Sequence, residues 1–259
     1  MVIKLKIPTI PITEIEQSAF CQTDEELASK TLAEEFSAGV RWQKLPVEYM
    51  RMSPEELRQR ITSARAKLGD TAVILGHHYQ RDEIIEFADV RGDSFKLSQY
   101  AATQGQSQHI IFCGVHFMAE TANILSEPHQ KVILPNITAG CSMADMAQID
   151  DVMDCWDDLE RVLGDKGGVV PITYMNSTAA IKALCGRNNG IVCTSSNAPA
   201  TFDWAFERGQ RVLFLPDQHL GRNTAVKMGI GVDEMVVWNP FKELGGHTEE
   251  ELINAKMIL

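Results

Sequence analysis

The sequence predicts an α/β fold of two similar lobes, each a parallel sheet in a three-layer α/β/α arrangement. Three observations predict it. A short apolar strand, a small or polar cluster and then a helical stretch recur along most of the chain, which is the grammar of parallel βα units. An acidic stretch, DDVMDCWDDLERVLGDK at 150–166, divides these units into two groups. The 259 residues, 44% hydrophobic, suffice to bury a core in each group.

Taken in order, residues 1–50 read as an N-terminal extension. Within it, Thr23-Asp24-Glu25-Glu26 has the pattern of a capping box and predicts a short helix to about Ser37. The first lobe spans 51–148. It opens on Ser53-Pro54-Glu55-Glu56, an N-cap serine, a first-turn proline and a glutamate at the third position, predicting a helix to Leu68 that stops at Gly69. A strand at 71–75 leads into GHHYQRDEIIEFA, His109–Cys113 into GVHFMAETANIL, and 131–134 into PNITAGCSMADMA. The second lobe spans 149–259. After the acidic helical connector, 168–173 leads into YMNSTAAIKAL, 190–193 into TSSNAPATFDWAF, and Arg211–Leu215 into PDQHLGRNTAVKMG. Lys256-Met257-Ile258-Leu259 reads as the opening of one more strand, so this lobe is expected to be incomplete at its C-terminal end.

Charge and hydropathy exclude some functions. Lys and Arg number 24 against 35 Asp and Glu, a net charge of −11. That balance repels a phosphate backbone and sets nucleic-acid binding aside. An anionic substrate would have to be held by helix N-termini, local dipoles or a metal. No apolar run approaches the roughly 18–20 residues that span a bilayer, and the first residues lack the order of a signal peptide. A cytoplasmic protein without membrane partners is expected. The cysteines, Cys21, Cys113, Cys141, Cys155, Cys185 and Cys193, form no CxxC pair, and most read as small core residues.

Parallel α/β sheets bind ligands beyond the carboxyl ends of their strands, which directs attention to a few segments. Gly76-His77-His78-Tyr79-Gln80 follows the first strand, and two histidines with a tyrosine can orient a carbonyl or carboxylate and move protons. A capped surface loop explains the same residues. Asp93-Ser94 precedes a helical stretch and suits either a cap or an anion-binding helix start. Tyr174-Met175-Asn176-Ser177-Thr178 and Thr194-Ser195-Ser196-Asn197 repeat that theme, and three such clusters suggest a pocket that holds carboxylates or a phosphate without lysines. Phe117-Met118 reads as core and Glu120 as a surface charge. Ala139-Gly140-Cys141 is expected to end a strand, its thiol inert unless partners make it a metal ligand. Arg222, in DQHLGR, could bind an anion or pair with a carboxylate.

Together the segments GHHYQ (76–80), GDSFKLS (92–98), FCGVHFMAETANIL (112–125), LPNITAGCSMAD (134–145), YMNSTAAIKA (174–183), CTSSNA (193–198) and LPDQHLGRN (215–223) resemble the quinolinate synthase family, in that family's order. The N-terminal extension and WNPFKELGG (238–246) resemble its cyanobacterial-type form. The resemblance implies condensation of iminoaspartate with dihydroxyacetone phosphate to quinolinate, phosphate and water, in NAD biosynthesis. It implies a 4Fe–4S cluster held by three cysteines, whose open iron acts as a Lewis acid, and three similar domains about a pseudo-threefold axis. It also implies coupling to an oxidase or dehydrogenase that produces iminoaspartate. By motif, Cys141 matches a cluster ligand. His77, Ser94, Tyr174, Asn176 and Ser195 match iminoaspartate-binding positions, Tyr79 a tyrosine near the reacting carbons, and Phe117 and Met118 the pocket lining. His77 and Tyr79 are expected to position substrate and transfer protons. The family's later blocks, carrying two further cluster cysteines, have no counterpart here, so the resemblance leads one to expect a fragment without the third domain and inactive alone. Two other readings stay open: a sugar-phosphate aldolase or lyase, and a non-catalytic iron–sulfur or ligand-binding α/β protein.

Overall fold

Ser53 begins the first regular helix as its sequence dictates. In the computed structural model, which describes residues 47–164 and 168–259, Ser53 Oγ accepts the Glu56 N–H at 3.2 Å while Glu56 Oε2 accepts the Ser53 N–H at 2.7 Å. The reciprocal pair satisfies two backbone donors that a helix start leaves orphaned. The helix expected between Thr23 and Ser37 lies outside the described residues.

After a short turn of helix, α1 (Val47–Met50), the chain forms α2 (Pro54–Leu68), β1 (Ala72–His77), α3 (Asp82–Ile85), β2 (Val90–Gly92), α4 (Ser94–Thr103), β3 (His109–Cys113), α5 (His116–Leu125) and β4 (Lys131–Ile133). These strands make one sheet in the order β2-β1-β3-β4, every pair parallel. The register sets His77 opposite Gly92 and Gly76 opposite Cys113, so the ends of β1, β2 and β3 meet at one edge. Alternate strand residues Val73, Leu75, Ile110 and Phe112 bury one face against Leu97 and Ala101 of α4 and Phe117, Met118 and Ala122 of α5. On the other face, Ile61, Ala64 and Leu68 of α2 look toward Ile74 and Ile111 across an apolar cavity of about 570 Å³.

Two local expectations fail here. β2 was not foreseen: three residues, one of them glycine and one an arginine with an exposed position, carry no strand periodicity, and tertiary pairing with β1 creates the strand. The helix expected after β4 does not form, since 134–148 is a run of turns and bends. Asn136 Oδ1 accepts both the Thr138 N–H at 3.1 Å and its hydroxyl at 2.7 Å, a side-chain turn that competes with helix. Cys141 therefore sits in this turn-rich segment and not at a strand end.

The remaining elements are α6 (Ile149–Leu163), β5 (Val169–Tyr174), α7 (Ala179–Arg187), β6 (Ile191–Cys193), α8 (Ala198–Phe206), β7 (Arg211–Leu215), α9 (Gln218–Lys227), β8 (Met235–Val236), α10 (Glu249–Asn254) and β9 (Met257–Ile258). The strands pair in parallel in the order β6-β5-β7-β9-β8. Leu213, Leu215 and Ile258 pack against α6, α7 and α10, whereas Val212, Phe214 and Met257 pack against α8 and α9. A strand buried on both faces reads as a continuous apolar run, which is why β7, RVLFL, was so visible in the sequence. Met175 and Val192, from the second sheet's strand ends, pack into the core of the first. No described helix is long and apolar enough to cross a membrane.

Candidate active site

At the carboxyl end of β1, His77 is 3% exposed. Its Nδ1 accepts the Tyr79 backbone N–H at 3.4 Å, and its Nε2 lies 3.3 Å from Ser94 Oγ. With Nδ1 accepting, the neutral ring carries its proton on Nε2 and donates toward Ser94. Burial lowers the His77 pKa to about 4; the neighbouring His78 pushes the same way and Asp93 opposes. The ring is thus uncharged at neutral pH. His78 stacks on it at 4.3 Å between centroids, and Tyr79, 81% exposed, tilts against both.

Ser94 is the first residue of α4, and Asp93 caps that helix, its Oδ1 accepting from Phe95 N–H and Lys96 N–H at 3.0 and 2.9 Å. Two of the N–H groups that the sequence offers to an anion, those of Phe95 and Lys96, are therefore already taken. Across from α4, the loop after β5 presents Tyr174 and Asn176, and the turn after β6 presents Thr194, Ser195 and Ser196. Thr194 N–H donates to Asn197 Oδ1 at 2.7 Å and fixes that turn. Burial raises the Tyr174 pKa, and a hydrogen bond with Ser195 partly offsets this.

Of these residues Ser94, Tyr174, Asn176, Thr194 and Ser195 line a cavity of about 360 Å³. His77 and Tyr79 are not part of its lining, His77 reaching it only through Ser94. Its size is that of a small-molecule site, with convergent polar groups at strand ends. A larger cavity, about 420 Å³, lies at the opposite, N-terminal ends of the second sheet's strands, and the apolar one beneath α2 lacks such convergence. The expectation of a lysine-free pocket is corrected, because Lys96 lines the cavity, 3.9 Å from Asp93. It was missed because on α4 it reads as a solvated helix charge.

Asn176 Nδ2 points at Cys141 Sγ at 3.7 Å, which puts the half-buried thiol beside the cavity wall. Burial pushes the thiols of Cys113, Cys155, Cys185 and Cys193 up, the last two to about 12, so these stay protonated. Cys141 is the described cysteine placed to act as a ligand. Among the described residues no three His, Cys, Asp or Glu side chains gather as a metal set, so they offer an iron–sulfur cluster one thiolate and do not by themselves make its site.

Phe117 and Met118 are 2% and 4% exposed in the first core, behind the loop and not among the residues lining the cavity. Arg222, on α9, is also outside it. Glu120, read from the sequence as a surface charge, and Lys182, a lysine within a helix, lie at the join between the sheets. Glu120 Oε2 accepts the Ala179 N–H at 3.0 Å, and Lys182 Nζ donates to Ser177 O at 2.6 Å over the Phe117 ring. No local signal marks them, since each partner is set by tertiary packing.

The family model described as "NadA: Quinolinate synthetase A protein" matches residues 59–258. The chain belongs to the quinolinate synthase family. It is 61% identical over 219 residues to the quinolinate synthase of Corynebacterium glutamicum, covering 85% of this chain and 55% of that protein. It is 56% identical over 214 residues to that of Acidobacterium capsulatum, covering 82% and 56%. The corresponding enzyme of a Nocardioides species is 58% identical over 214 residues, covering 80% and 54%. The chain therefore spans just over half the length of these quinolinate synthases, and the matched part holds both sheets and the cavity between them.

Proposed function

We propose that this chain carries the dicarboxylate-binding part of a cytoplasmic quinolinate synthase of de novo NAD biosynthesis, which condenses iminoaspartate with dihydroxyacetone phosphate to give quinolinate, phosphate and water. The observation that supports it is the convergence of Ser94, Tyr174, Asn176 and Ser195, from both sheets, on one cavity of substrate size. In this reading Ser94, Ser195 and Tyr174 hydroxyls and the Asn176 amide hold the two carboxylates of iminoaspartate. His77, neutral and donating from Nε2, orients Ser94 and the carboxylate beside it, and the exposed Tyr79, tilted against His77, moves a proton near the reacting carbons. Phe117 and Met118 back the pocket. Cys141 is one ligand of a 4Fe–4S cluster that, when bound, supplies an open iron as Lewis acid. Iminoaspartate, which water hydrolyses, would come from an oxidase or dehydrogenase acting on an amino acid.

An aldolase-type Schiff base has one feature in its favour, the Lys182 pKa lowered to about 8 by burial. Its Nζ is bonded to Ser177 O and faces Phe117, outside the cavity lining, which leaves the dicarboxylate reading the better supported.

Calorimetric titration of succinate, a stable four-carbon dicarboxylate, tests the reading. The chain should bind it saturably, with Ser94→Ala and Asn176→Ala each weakening affinity about tenfold, the loss expected for a hydrogen bond to a charged group. No saturable binding, or variants that bind as wild type, would refute it.

A further inference from the structure

Besides the turn at 194–196, the second sheet reaches the cavity through a short segment, residues 174–177, whose position depends on contacts made elsewhere. Met175 is 3% exposed in the first sheet's core, its N–H donating to Cys193 O at 2.8 Å. Ser177 is fully buried and its hydroxyl donates to Tyr174 O at 2.8 Å. Between these anchors Asn176 projects toward Cys141 and the cavity.

We propose that Glu120 and Lys182 form a charged clasp across the two sheets that positions Asn176, and that they are positioning residues for ligand binding in the cavity. The inference rests on the reading above that the cavity holds the dicarboxylate. Its geometry is specific. The Ala179 N–H is the first of α7 and has no partner within the helix. Glu120, from α5, accepts it at 3.0 Å and sets a negative charge on the positive end of α7. One turn on, Lys182 folds back to donate to Ser177 O at 2.6 Å, outside the helix, with the Phe117 ring 5.3 Å beneath. The start of α7 is thus tied to α5 by the carboxylate and to its own lead-in loop by the ammonium. Thr178 Oγ, which accepts the Ile181 N–H at 3.4 Å, already serves as an ordinary cap, so capping alone needs neither charge.

Burial disfavours the Lys182 charge, and the Glu120 carboxylate opposes that effect. The two half-buried side chains do not bond to each other; each is held by a backbone group near the start of α7. What the charges add is direction: a fixed acceptor for one N–H and a fixed donor for one carbonyl. His116 Nδ1, 3.8 Å from the same Glu120 oxygen, is the remaining polar neighbour.

The test uses the full 259-residue chain and the variants Lys182→Met, Lys182→Arg and Glu120→Ala. The first readout needs no ligand: the side-chain amide resonances of Asn176 and the hydrogen-exchange rates of residues 176–179, with Cys141→Ala identifying the signal of an Asn176 amide that has lost its sulfur partner. Lys182→Met and Glu120→Ala should move the Asn176 amide toward its position in Cys141→Ala and speed loop exchange about tenfold, and Lys182→Arg should restore both. The second readout is succinate affinity, expected to fall about tenfold in Lys182→Met and to recover in Lys182→Arg. An unchanged Asn176 amide and unchanged loop exchange in the folded Lys182→Met protein would overturn the clasp, even if its melting temperature fell. A wild-type chain that fails to bind succinate would instead overturn the reading of the cavity, and the amide readout would still decide the clasp.

Discussion

Replacing His77 by glutamine should remove a specific part of the protein's acid sensitivity. The imidazole is 3% exposed, and burial lowers its pKa from 6.5 to about 4. In the unfolded chain the ring returns to its ordinary value, so between those two pH values the unfolded state binds the extra proton. Stability from this residue is therefore complete above about pH 6.5 and is lost progressively as the pH falls through about 4. At 1.36 kcal/mol for each unit, the full effect is about 3 kcal/mol, and the part between about pH 7 and pH 5 is about 2 kcal/mol. Glutamine has no such titration and keeps an amide donor for Ser94. Urea unfolding of wild type and His77→Gln at several pH values isolates the effect, because every other titrating group is common to both chains. Wild type should lose about 2 kcal/mol more than the variant over that interval. Parallel pH profiles would refute the burial of a neutral His77.

Two further outcomes follow from local packing. A Cβ at Gly190 would collide with Pro171 O and lie 2.9 Å from Cys185 O, whereas one at Gly186, on α7, meets nothing within 4 Å; Gly190→Ala should destabilise by about 3 kcal/mol through overpacking and Gly186→Ala should be neutral or stabilising by about 0.5 kcal/mol, both read from urea midpoints. Cys155, Cys185 and Cys193 are buried with raised pKa values; peptide mapping after iodoacetamide treatment should find them unmodified in the folded chain and modified in urea, and modification in the folded chain would contradict their burial.

Strands buried on both faces and helices with explicit caps were legible because their cause is local. Residues 212–215 form an uninterrupted apolar run, and Ser53 with Glu56 writes the start of α2 in four residues. β2 and the turns from 134 to 148 were not, since one is made by pairing with β1 and the other by an Asn136 side chain that outcompetes helix. At the site, the loops bearing His77, Ser94, Tyr174, Asn176 and Ser195 announced themselves by residue type at strand ends, but nothing local says that they face one another. Glu120 and Lys182 are ordinary helix charges until the fold brings α5 beside α7.

On the proposed reading an acidic chain has to hold a dianion. A net charge of −11 gives no long-range attraction, and the simplest local device, a free helix N-terminus, is occupied by side chains on α4, α7 and α9. Helix α8, after the turn at 194–196, starts without a side-chain cap. Asp93 takes the first N–H groups of α4, Asp217 those of α9, and Glu120 with Thr178 those of α7. Each carboxylate so placed neutralises the dipole that would have drawn an anion nonspecifically. What remains for a ligand is a set of fixed, mostly neutral donors with Lys96 at one side. Neutral donors discriminate by geometry more than by charge, because each hydrogen bond requires its own distance and angle. On the dicarboxylate reading proposed above, that arrangement would favour one spacing of two carboxylates over a lone phosphate or carboxylate.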